Sequence, residues 1–258
     1  LIWSVETLLK KQRDPRTNET NIKSLGIHLE NTLLSLNKIN PDLGRHIHAL
    51  TSHPGKLLSQ NLLRHHPKII ELVSILFGKN SVLAFPQMSD SLGMFFPAKA
   101  DIKLTYDQKL PVHQDFPYMM QSCKQLVLWI PLTTFAPSVG SIEYWPGSNI
   151  NKTVRQKQLG DYFEVFDEEL IQYENSSGIK PVKLNWELGD LVMFDSNIFH
   201  RTVQNKTTDR CRITQIFRIS DLNDDDGLEY NWRSTNYIDR NSKNPKSVSF
   251  QEFYPKLV

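Results

Sequence analysis

Three side chains of the sequence have the types and the spacing of a metal site that leaves coordination positions open. His113 and Asp115 are one residue apart, so on an extended strand both side chains project from the same face. His200 lies 87 positions after His113, where a Gly-Asp turn, an apolar strand and then a loop present the second imidazole. Two imidazoles and one carboxylate bind Fe(II) on one face, whereas thiolates would favour zinc or an iron–sulfur cluster.

Two arginines follow the second histidine at the start of another strand-like run. Arg210 and Arg212 lie ten and twelve positions after His200. A guanidinium binds a carboxylate through two parallel hydrogen bonds, so it suits a dicarboxylate such as 2-oxoglutarate whose other end binds the metal. Positions 210 and 212 share a face of a strand, so parity leaves both arginines as candidates. On a simpler interpretation His113 is a strand histidine that bonds to a backbone carbonyl, Asp115 belongs to a turn and His200 is a loop histidine.

The other six histidines precede residue 67 and lie among lysines and arginines, with no carboxylate at a metal-like spacing. We interpret them as surface or helix-cap residues; they are His28, His46, His48, His53, His65 and His66.

The elements that must position these residues change in type near residue 80. Before it, apolar residues recur at helical spacing in three sets, and Pro67 is expected in the first turn of the last helix. After it, short alternating or β-branched runs are bounded by Pro, Gly, Asn and Asp, which is typical of a sandwich or a barrel. The predicted strands are residues 81–87, 101–106, 125–131, 140–145, 180–184, 191–194 and 211–219.

The chain therefore predicts one domain over residues 1–258. A helical N-terminal layer spans residues 1–80, a β core spans 81–220, and a polar surface segment or lid spans 221–258. No Gly-x-Gly-x-x-Gly, no P-loop, no Gly-x-Ser-x-Gly elbow and no Cys-x-x-Cys occurs, so phosphate cradles and the common nucleophile elbow are not indicated.

Composition excludes several classes of protein. There are 30 Lys and Arg against 28 Asp and Glu, which gives no general footprint for nucleic acid, and no apolar run approaches the ~18 residues of a membrane span. Two cysteines are too few for a disulfide framework, and we expect a reducing, cytoplasmic setting. The N-terminal order of charged and apolar residues is not that of a secretory signal. Because the chain starts at Leu1 rather than at methionine, we expect residues to precede it.

Several motifs of the second part of the chain occur in a distinctive order. Residues 111–118 read Pro-Val-His-Gln-Asp-Phe-Pro-Tyr, 127–132 read Val-Leu-Trp-Ile-Pro-Leu, and 189–194 read Gly-Asp-Leu-Val-Met-Phe. Gly140, the run Pro-Gly-Ser at 146–148, His200, Asn205 and Arg212 complete the series. Over about residues 101–219 the chain resembles the phytanoyl-CoA dioxygenase family of Fe(II)/2-oxoglutarate-dependent oxygenases.

The resemblance implies a fold, a set of cofactors and a reaction. The fold is mainly β with N-terminal helices, a double-stranded β-helix (jelly-roll, cupin-like) core packed against a helical layer. Fe(II), 2-oxoglutarate and O₂ would hydroxylate a C–H bond of a small molecule, with release of succinate and CO₂. The implied iron ligands are His113, Asp115 and His200.

The resemblance also assigns residues around the metal. Arg212 would bind the far carboxylate of 2-oxoglutarate, with Arg210 as its rival because the spacing from His200 is one residue longer than expected. Thr202 would be a second donor to the co-substrate, and Gln114 and Trp129 would line the same pocket. Residues expected to face the substrate are Tyr118, Gln121, Trp129 and the segment 225–237 with Tyr230 and Trp232. Two positions depart from the family's usual residues, Val112 in place of Trp and Asn149 in place of His.

Two other functions share these residue types. A non-catalytic metal-binding cupin-like module could use the same ligands, but it would give Arg212 no purpose. A nucleic-acid demethylase of the wider superfamily would carry paired arginines at the spacing of Arg212 and Arg218, but the nearly balanced charge argues against a polyanionic partner. The preferred partner is a small-molecule substrate, with no nucleic acid and no membrane.

Overall fold

Three helices lie among the described residues, and two of them, near the N-terminus, pack against the larger sheet while the third packs beside the smaller one. The computed structural model describes residues 19–39, 62–78, 80–85, 91–96, 110–118, 122–159 and 162–224. Helix α1 spans Glu19–Ile39, α2 spans Pro67–Phe77 and α3 spans Asp167–Ser177. Pro67 begins α2, and the imidazole of His66 caps it by accepting a hydrogen bond from the Lys68 N–H at 3.2 Å. The predicted helix start and the cap role of His66 are both confirmed.

Ten strands make up the β structure of the described residues. They are β1 (Leu83–Ala84), β2 (Ser91–Phe95), β3 (Gln125–Pro131), β4 (Ile142–Tyr144), β5 (Gln156–Leu159), β6 (Tyr162–Val165), β7 (Val182–Lys183), β8 (Val192–Asp195), β9 (His200–Thr202) and β10 (Arg212–Asp221). The larger sheet has the order β1-β10-β3-β8, with β2 also paired to β10. A smaller sheet has the order β7-β4-β9, and β5 pairs with β6. Every one of these pairings is antiparallel.

The chain passes back and forth between the two larger sheets. From β3 it crosses to β4 in the smaller sheet, returns from β7 to β8, crosses again to β9 and returns to β10. Side chains of both sheets pack together, as Trp129 of β3 and Ile142 of β4 do in one buried cluster. This alternation is that of a double-stranded β-helix, or jelly roll, so the predicted mainly β fold is confirmed.

Strand β10 has one face toward the helices and one toward the space between the sheets. Ile213, Phe217 and Ile219 pack in a core with Leu33 of α1 and Val73 of α2. Because successive side chains of a strand alternate, the even-numbered residues of β10 point the other way, into the space between the sheets. These residues are Arg212, Thr214, Ile216, Arg218 and Ser220.

The predicted strands agree with the structure to different degrees. The prediction for 125–131 matches β3, and those for 81–87, 140–145, 180–184, 191–194 and 211–219 each overlap a strand with shifted ends. The prediction for 101–106 lies outside the described residues. Strands β2, β5, β6 and β9 and helix α3 were not predicted. Strand β10 extends to Asp221, one residue into the predicted C-terminal segment.

Within the described part of the chain, no helix combines the length and the apolar character that crossing a bilayer requires.

Candidate metal centre

His113, Asp115 and His200 lie together in the structure. One potential ligand atom from each residue falls within 4.8 Å of the other two, and all three residues are buried. Their exposed fractions are 3%, 4% and 7%. Oδ1 of Asp115 lies 3.5 Å from Nε2 of His113 and 3.7 Å from Nε2 of His200. The three side chains therefore form a site that could bind a metal ion.

Backbone hydrogen bonds bring the two ligand-bearing segments side by side. The His113 N–H donates to the His200 carbonyl at 2.9 Å, and the His200 N–H donates to the His113 carbonyl at 3.1 Å. The Asp115 N–H donates to the Ser196 carbonyl at 2.7 Å, on the chain that leads from β8 to β9. His113 thus belongs to a single antiparallel bridge rather than to a strand, and His200 begins β9 rather than lying on a loop, which corrects both local predictions.

Each imidazole is oriented by a hydrogen bond from its Nδ1 to the carbonyl of the residue two positions earlier. Nδ1 of His113 donates to the Pro111 carbonyl at 2.8 Å, and Nδ1 of His200 donates to the Ile198 carbonyl at 3.0 Å. Since a carbonyl can only accept, each Nδ1 carries a hydrogen, and in a neutral imidazole the lone pair then lies on Nε2. Burial, followed by the neighbouring His113, lowers the pKa of His200 to about 4, so this imidazole is neutral at pH 7. Both Nε2 atoms are therefore available as metal ligands.

Arg218 binds one oxygen of the Asp115 carboxylate, and the other oxygen faces the two histidines. Nη2 and Nε of Arg218 donate to Oδ2 at 2.6 Å and 3.1 Å, while Oδ1 faces the two histidines. Burial would raise the pKa of Asp115, but Arg218 and then the two histidines hold it well below its usual range. The carboxylate is therefore ionised, with one oxygen free for a metal.

The spacing of the donor atoms fits a divalent ion bound on one face. An ion about 2.1 Å from each ligand, with bonds near right angles, requires neighbouring ligand atoms about 3 Å apart. The two distances from Asp115 Oδ1 are 3.5 Å and 3.7 Å, so small side-chain rotations would close the site. Two imidazole nitrogens and one carboxylate oxygen are the donor set of non-haem Fe(II) sites that keep open positions.

Arg212 is a buried cation without a carboxylate partner among the described residues. It is 1% exposed, and its Nε and Nη1 atoms have no hydrogen-bond partner there. Its guanidinium lies over the ring of Phe95, 3.9 Å from the ring centroid. Burial lowers the pKa of Arg212 to about 9, because the charged guanidinium has lost its contact with water. An anion bound to the guanidinium would offset this cost of burying the charge.

Arg210 lies outside strand β10, so the expectation that Arg210 and Arg212 share a strand face does not apply. Strand β10 begins at Arg212, and Arg210 precedes it. The Arg210 guanidinium donates through Nε to Oε1 of Glu30 at 2.7 Å and through Nη2 to Oγ1 of Thr134 at 2.9 Å. Arg210 is thus committed to a protein carboxylate, whereas Arg212 is not.

Gln114 does not have a free side chain to offer to a ligand. Its Nε2 donates to the carbonyls of Lys152 and Asn197 at 2.9 Å and 2.5 Å. Its Oε1 accepts from the Val154 N–H and from Nε2 of Gln156, each at 3.0 Å. These four bonds use the whole capacity of an amide, so Gln114 ties the segment between His113 and Asp115 to its surroundings instead of lining the pocket.

The other expected residues fall around the site or outside the described part of the chain. Thr202 is buried two residues after His200 on β9 and so shares its face. Trp129 lies in the cluster between the sheets with its ring 5.7 Å from that of Trp186. Tyr118 has its ring 5.9 Å from the His113 ring, edge to face. Gln121, Tyr230 and Trp232 and the segment 225–237 lie outside the described residues.

Sequence reasoning gave no role in this site to four residues that the structure places beside the metal ligands, in the inter-sheet space or beside the start of β10. Arg218 had a signal, because 212 and 218 are both even positions of one strand, but its spacing was read only against nucleic-acid demethylases. Thr214 and Trp186 each bury a donor, Oγ1 and Nε1, with no partner among the described residues. Glu30 had no local signal, because it lies on a helix far from the site in sequence.

The sequence matches a known family over most of its length. Residues 45–213, about two thirds of the chain, match the family described as phytanoyl-CoA dioxygenase (PhyH). The chain belongs to the phytanoyl-CoA dioxygenase family. The expected family is therefore confirmed, and the match contains all three residues of the metal site and Arg212. No curated protein matches the sequence.

Solved structures are similar to this chain at low sequence identity. AviO1 from Streptomyces viridochromogenes Tue57 is 19% identical, with a TM-score of 0.46 over 67% of this chain and 66% of that one. The non-heme monooxygenase ThoJ, in its apo form, is 17% identical, with a TM-score of 0.49 over 73% and 65%. EctD from S. alaskensis, with 2-oxoglutarate and 5-hydroxyectoine, is 18% identical, with a TM-score of 0.47 over 64% and 54%. The matched part is less than two thirds of each of these proteins, and the jelly roll of this chain is defined by its own strand pairing.

Proposed function

We propose that the protein is an Fe(II)/2-oxoglutarate-dependent dioxygenase that hydroxylates a C–H bond of a small-molecule metabolite, with release of succinate and CO₂. The observation that carries the proposal is Arg212, a fully buried guanidinium without a carboxylate partner among the described residues. It lies on the same face of β10 as Arg218, which contacts the metal site through Asp115. A buried guanidinium on this face favours binding of an anionic ligand whose other end binds the metal.

Each residue would have a distinct task in this reaction. Nε2 of His113, Nε2 of His200 and Oδ1 of Asp115 would hold Fe(II), which together with 2-oxoglutarate and O₂ supplies the oxidising chemistry when bound. Arg212 would bind the far carboxylate of 2-oxoglutarate through paired hydrogen bonds. Thr202 would add a second donor, and Thr214, two residues after Arg212 on the same face, offers a third.

The inter-sheet space supports a buried reaction site. Trp129 and Trp186 form part of its apolar wall and keep water away from the reacting groups. Tyr118 lies beside His113, where a substrate would approach the metal, and its hydroxyl accepts a hydrogen bond from the Phe163 N–H at 2.9 Å. We propose Tyr118 as a substrate contact. Cys123 and Cys211 do not form a disulfide with each other, in keeping with the proposed cytoplasmic location.

The test compares the two arginines in binding 2-oxoglutarate. Arg212→Met should weaken binding of 2-oxoglutarate to the metal-loaded protein by ~10-fold to ~100-fold, because it removes a charged, paired hydrogen bond. It should leave binding of 2-oxobutanoate, which lacks the far carboxylate, unchanged. Arg210→Met is the comparison and should weaken 2-oxoglutarate binding less than Arg212→Met does, because it leaves the guanidinium of Arg212 in place. Isothermal titration without O₂, with Mn(II) in place of iron, measures both affinities.

Three outcomes separate the candidate functions. A selective loss in Arg212→Met, with succinate formed in the presence of a substrate, supports the oxygenase. Metal binding without any preference for 2-oxoglutarate would instead indicate the non-catalytic cupin-like module. Succinate formation that is stimulated by a methylated oligonucleotide, and not by small molecules, would indicate the nucleic-acid demethylase.

A further inference from the structure

Helix α1 is joined to the start of β10 by one buried carboxylate. Glu30 is 4% exposed, and its Oε1 accepts from Nε of Arg210 at 2.7 Å and from the backbone N–H of Cys211 at 2.8 Å. Its Oε2 accepts from Nη2 of Arg210 at 3.3 Å. Three hydrogen bonds therefore tie this helix to the two residues that precede Arg212.

Arg210 also forms hydrogen bonds with two other segments of the chain, one after β3 and one after β9. Nη2 of Arg210 also donates to the carbonyl and to Oγ1 of Thr134, at 3.2 Å and 2.9 Å, on the chain that follows β3. The Arg210 carbonyl accepts from Nδ2 of Asn205 at 2.8 Å, on the chain that follows β9. The backbone that enters β10 is thereby held from the helix, from β3 and from β9 at once.

Arg212 depends on this backbone for its own position. Apart from the Phe95 ring, no described residue fixes its guanidinium through Nε or Nη1. The side chain of Cys211 packs in the helix-side core, so the next side chain, Arg212, is directed to the opposite face. A shift of the Cys211 backbone would therefore move Arg212 directly.

The helix is also shaped to approach the core at this place. Gly26 lies one turn before Glu30 on the same face of α1, and a Cβ there would come within 3.1 Å of the Leu132 carbonyl oxygen. Leu33, on the following turn, is 5% exposed in the core. Glycine at 26 thus allows the close contact that brings the Glu30 carboxylate to β10.

We propose that α1 is part of the co-substrate site, because Glu30 positions Arg212 for the far carboxylate of 2-oxoglutarate. This inference rests on the proposed function of Arg212. Helix α1 precedes the family match, which begins at residue 45, so the positioning comes from outside the matched region. Glu30 is a positioning residue, since it contacts the backbone beside Arg212 and not the ligand.

The experiment compares Glu30→Gln with Glu169→Gln, which removes the carboxylate of a surface ion pair with Arg155. Each Mn(II)-loaded protein is titrated with 2-oxoglutarate and with 2-oxobutanoate, without O₂. Glu30→Gln should weaken 2-oxoglutarate about 10-fold, the size expected for a misplaced charged hydrogen bond, and leave 2-oxobutanoate unchanged. Glu169→Gln should change neither affinity. An unchanged 2-oxoglutarate affinity in folded Glu30→Gln overturns the proposal, as does an equal loss for both acids.

Arg212→Met distinguishes failure of this inference from failure of the proposed function. If Arg212→Met loses 2-oxoglutarate selectively and Glu30→Gln does not, only the positioning by Glu30 is wrong. If Arg212→Met changes neither affinity, the proposed function fails and the inference fails with it.

Hydrogen exchange of the wild-type protein keeps the inference testable if Glu30→Gln does not fold. Coupling between two parts of a protein is reciprocal, so a ligand held by Arg212 should also hold α1. Binding of 2-oxoglutarate should slow amide exchange in Glu19–Ile39 more than binding of 2-oxobutanoate at equal saturation. Equal protection by the two acids would overturn the inference.

Discussion

Asp115 shows how one side chain can serve a metal and a cation at the same time. Its Oδ2 accepts two hydrogen bonds from Arg218, and its Oδ1 faces the two histidines. With Oδ2 engaged, the carboxylate can give only one oxygen to an ion. A single-oxygen ligand leaves one more coordination position open than a chelating carboxylate would.

Arg218→Met should therefore weaken binding of the co-substrate without weakening binding of the metal. Mn(II) should bind no more weakly than to the wild type, because a positive charge is lost and Oδ2 is freed. Both 2-oxoglutarate and 2-oxobutanoate should then bind about 10-fold more weakly, since a chelating Asp115 occupies a position that they need. Titration calorimetry with Mn(II), and then with each acid, measures these changes.

Arg201→Met is the matched control for that variant. Arg201 pairs with Glu143 at 2.6 Å beside His200, but on the outward face of β9. It should leave all three affinities within about 2-fold of the wild type, as surface ion pairs contribute little. Weaker Mn(II) binding with unchanged affinity for both acids in Arg218→Met would contradict the division of the carboxylate.

The side chains that could be predicted from sequence are those whose role shows in local spacing. His113 and Asp115 are separated by one residue, and the apolar run before His200 marks a strand. Glu30 could not be predicted in this way, because its role depends on a contact across 180 positions, and the spacing of Arg218 from Arg212 gave its strand face but not its contact with Asp115 across 103 positions. Gln114 was assigned to the pocket by resemblance alone, and its four internal hydrogen bonds became visible only in the folded chain.

At the scale of elements, the predicted strands were those with an apolar or β-branched pattern. Strand β3 is buried along its whole length, and its bounds were predicted correctly. Strands β5 and β6 form a hairpin of their own, and the sequence of β5, Gln-Lys-Gln-Leu, has no apolar alternation to detect. Helix α3 carries acidic residues at 167–169 in its first turn, a start signal that the strand-dominated interpretation of this region overlooked.

Gly140 lies where the chain before β4 passes very close to the chain that follows β9, the strand of His200. It has φ +79° just before β4, and a Cβ there would collide with the Val203 carbonyl oxygen just after β9. Gly140→Ala should lower the free energy of unfolding by about 3 kcal/mol or more, because it adds this clash to an unfavourable backbone conformation. Urea denaturation measures the change.

Gly178→Ala provides the comparison for backbone conformation alone. Gly178 has φ +69° at the end of α3, and a Cβ there would meet nothing within 4 Å. This variant should lose only about 1 kcal/mol, the usual penalty of a left-handed conformation for alanine. If both variants lose the same free energy of unfolding, the contact of Gly140 with the chain after β9 does not contribute to stability.

For the whole molecule, binding of an ion should appear as added stability. A divalent ion at 100 times its dissociation constant stabilises the folded state by about 2.7 kcal/mol. Thermal unfolding of the wild type with Mn(II) should therefore occur at a higher temperature than after treatment with a chelator.

Asp115→Asn should lose this stabilisation because it removes a ligand charge while keeping the shape of the side chain. Glu169→Gln, which alters a carboxylate on helix α3, should keep it. A midpoint that rises equally in Asp115→Asn would place the ion elsewhere on the protein.

The reciprocal backbone bonds between His113 and His200 have a consequence for how the protein acquires its ion. Two ligands from distant parts of the chain are neighbours through the chain's own N–H and carbonyl groups. The strand pairing, and not the identity of the ion, therefore sets how the two imidazoles are spaced. A site spaced in this way suits several divalent ions that accept two nitrogens and one oxygen, so the supply of each metal in the compartment would decide which one is bound.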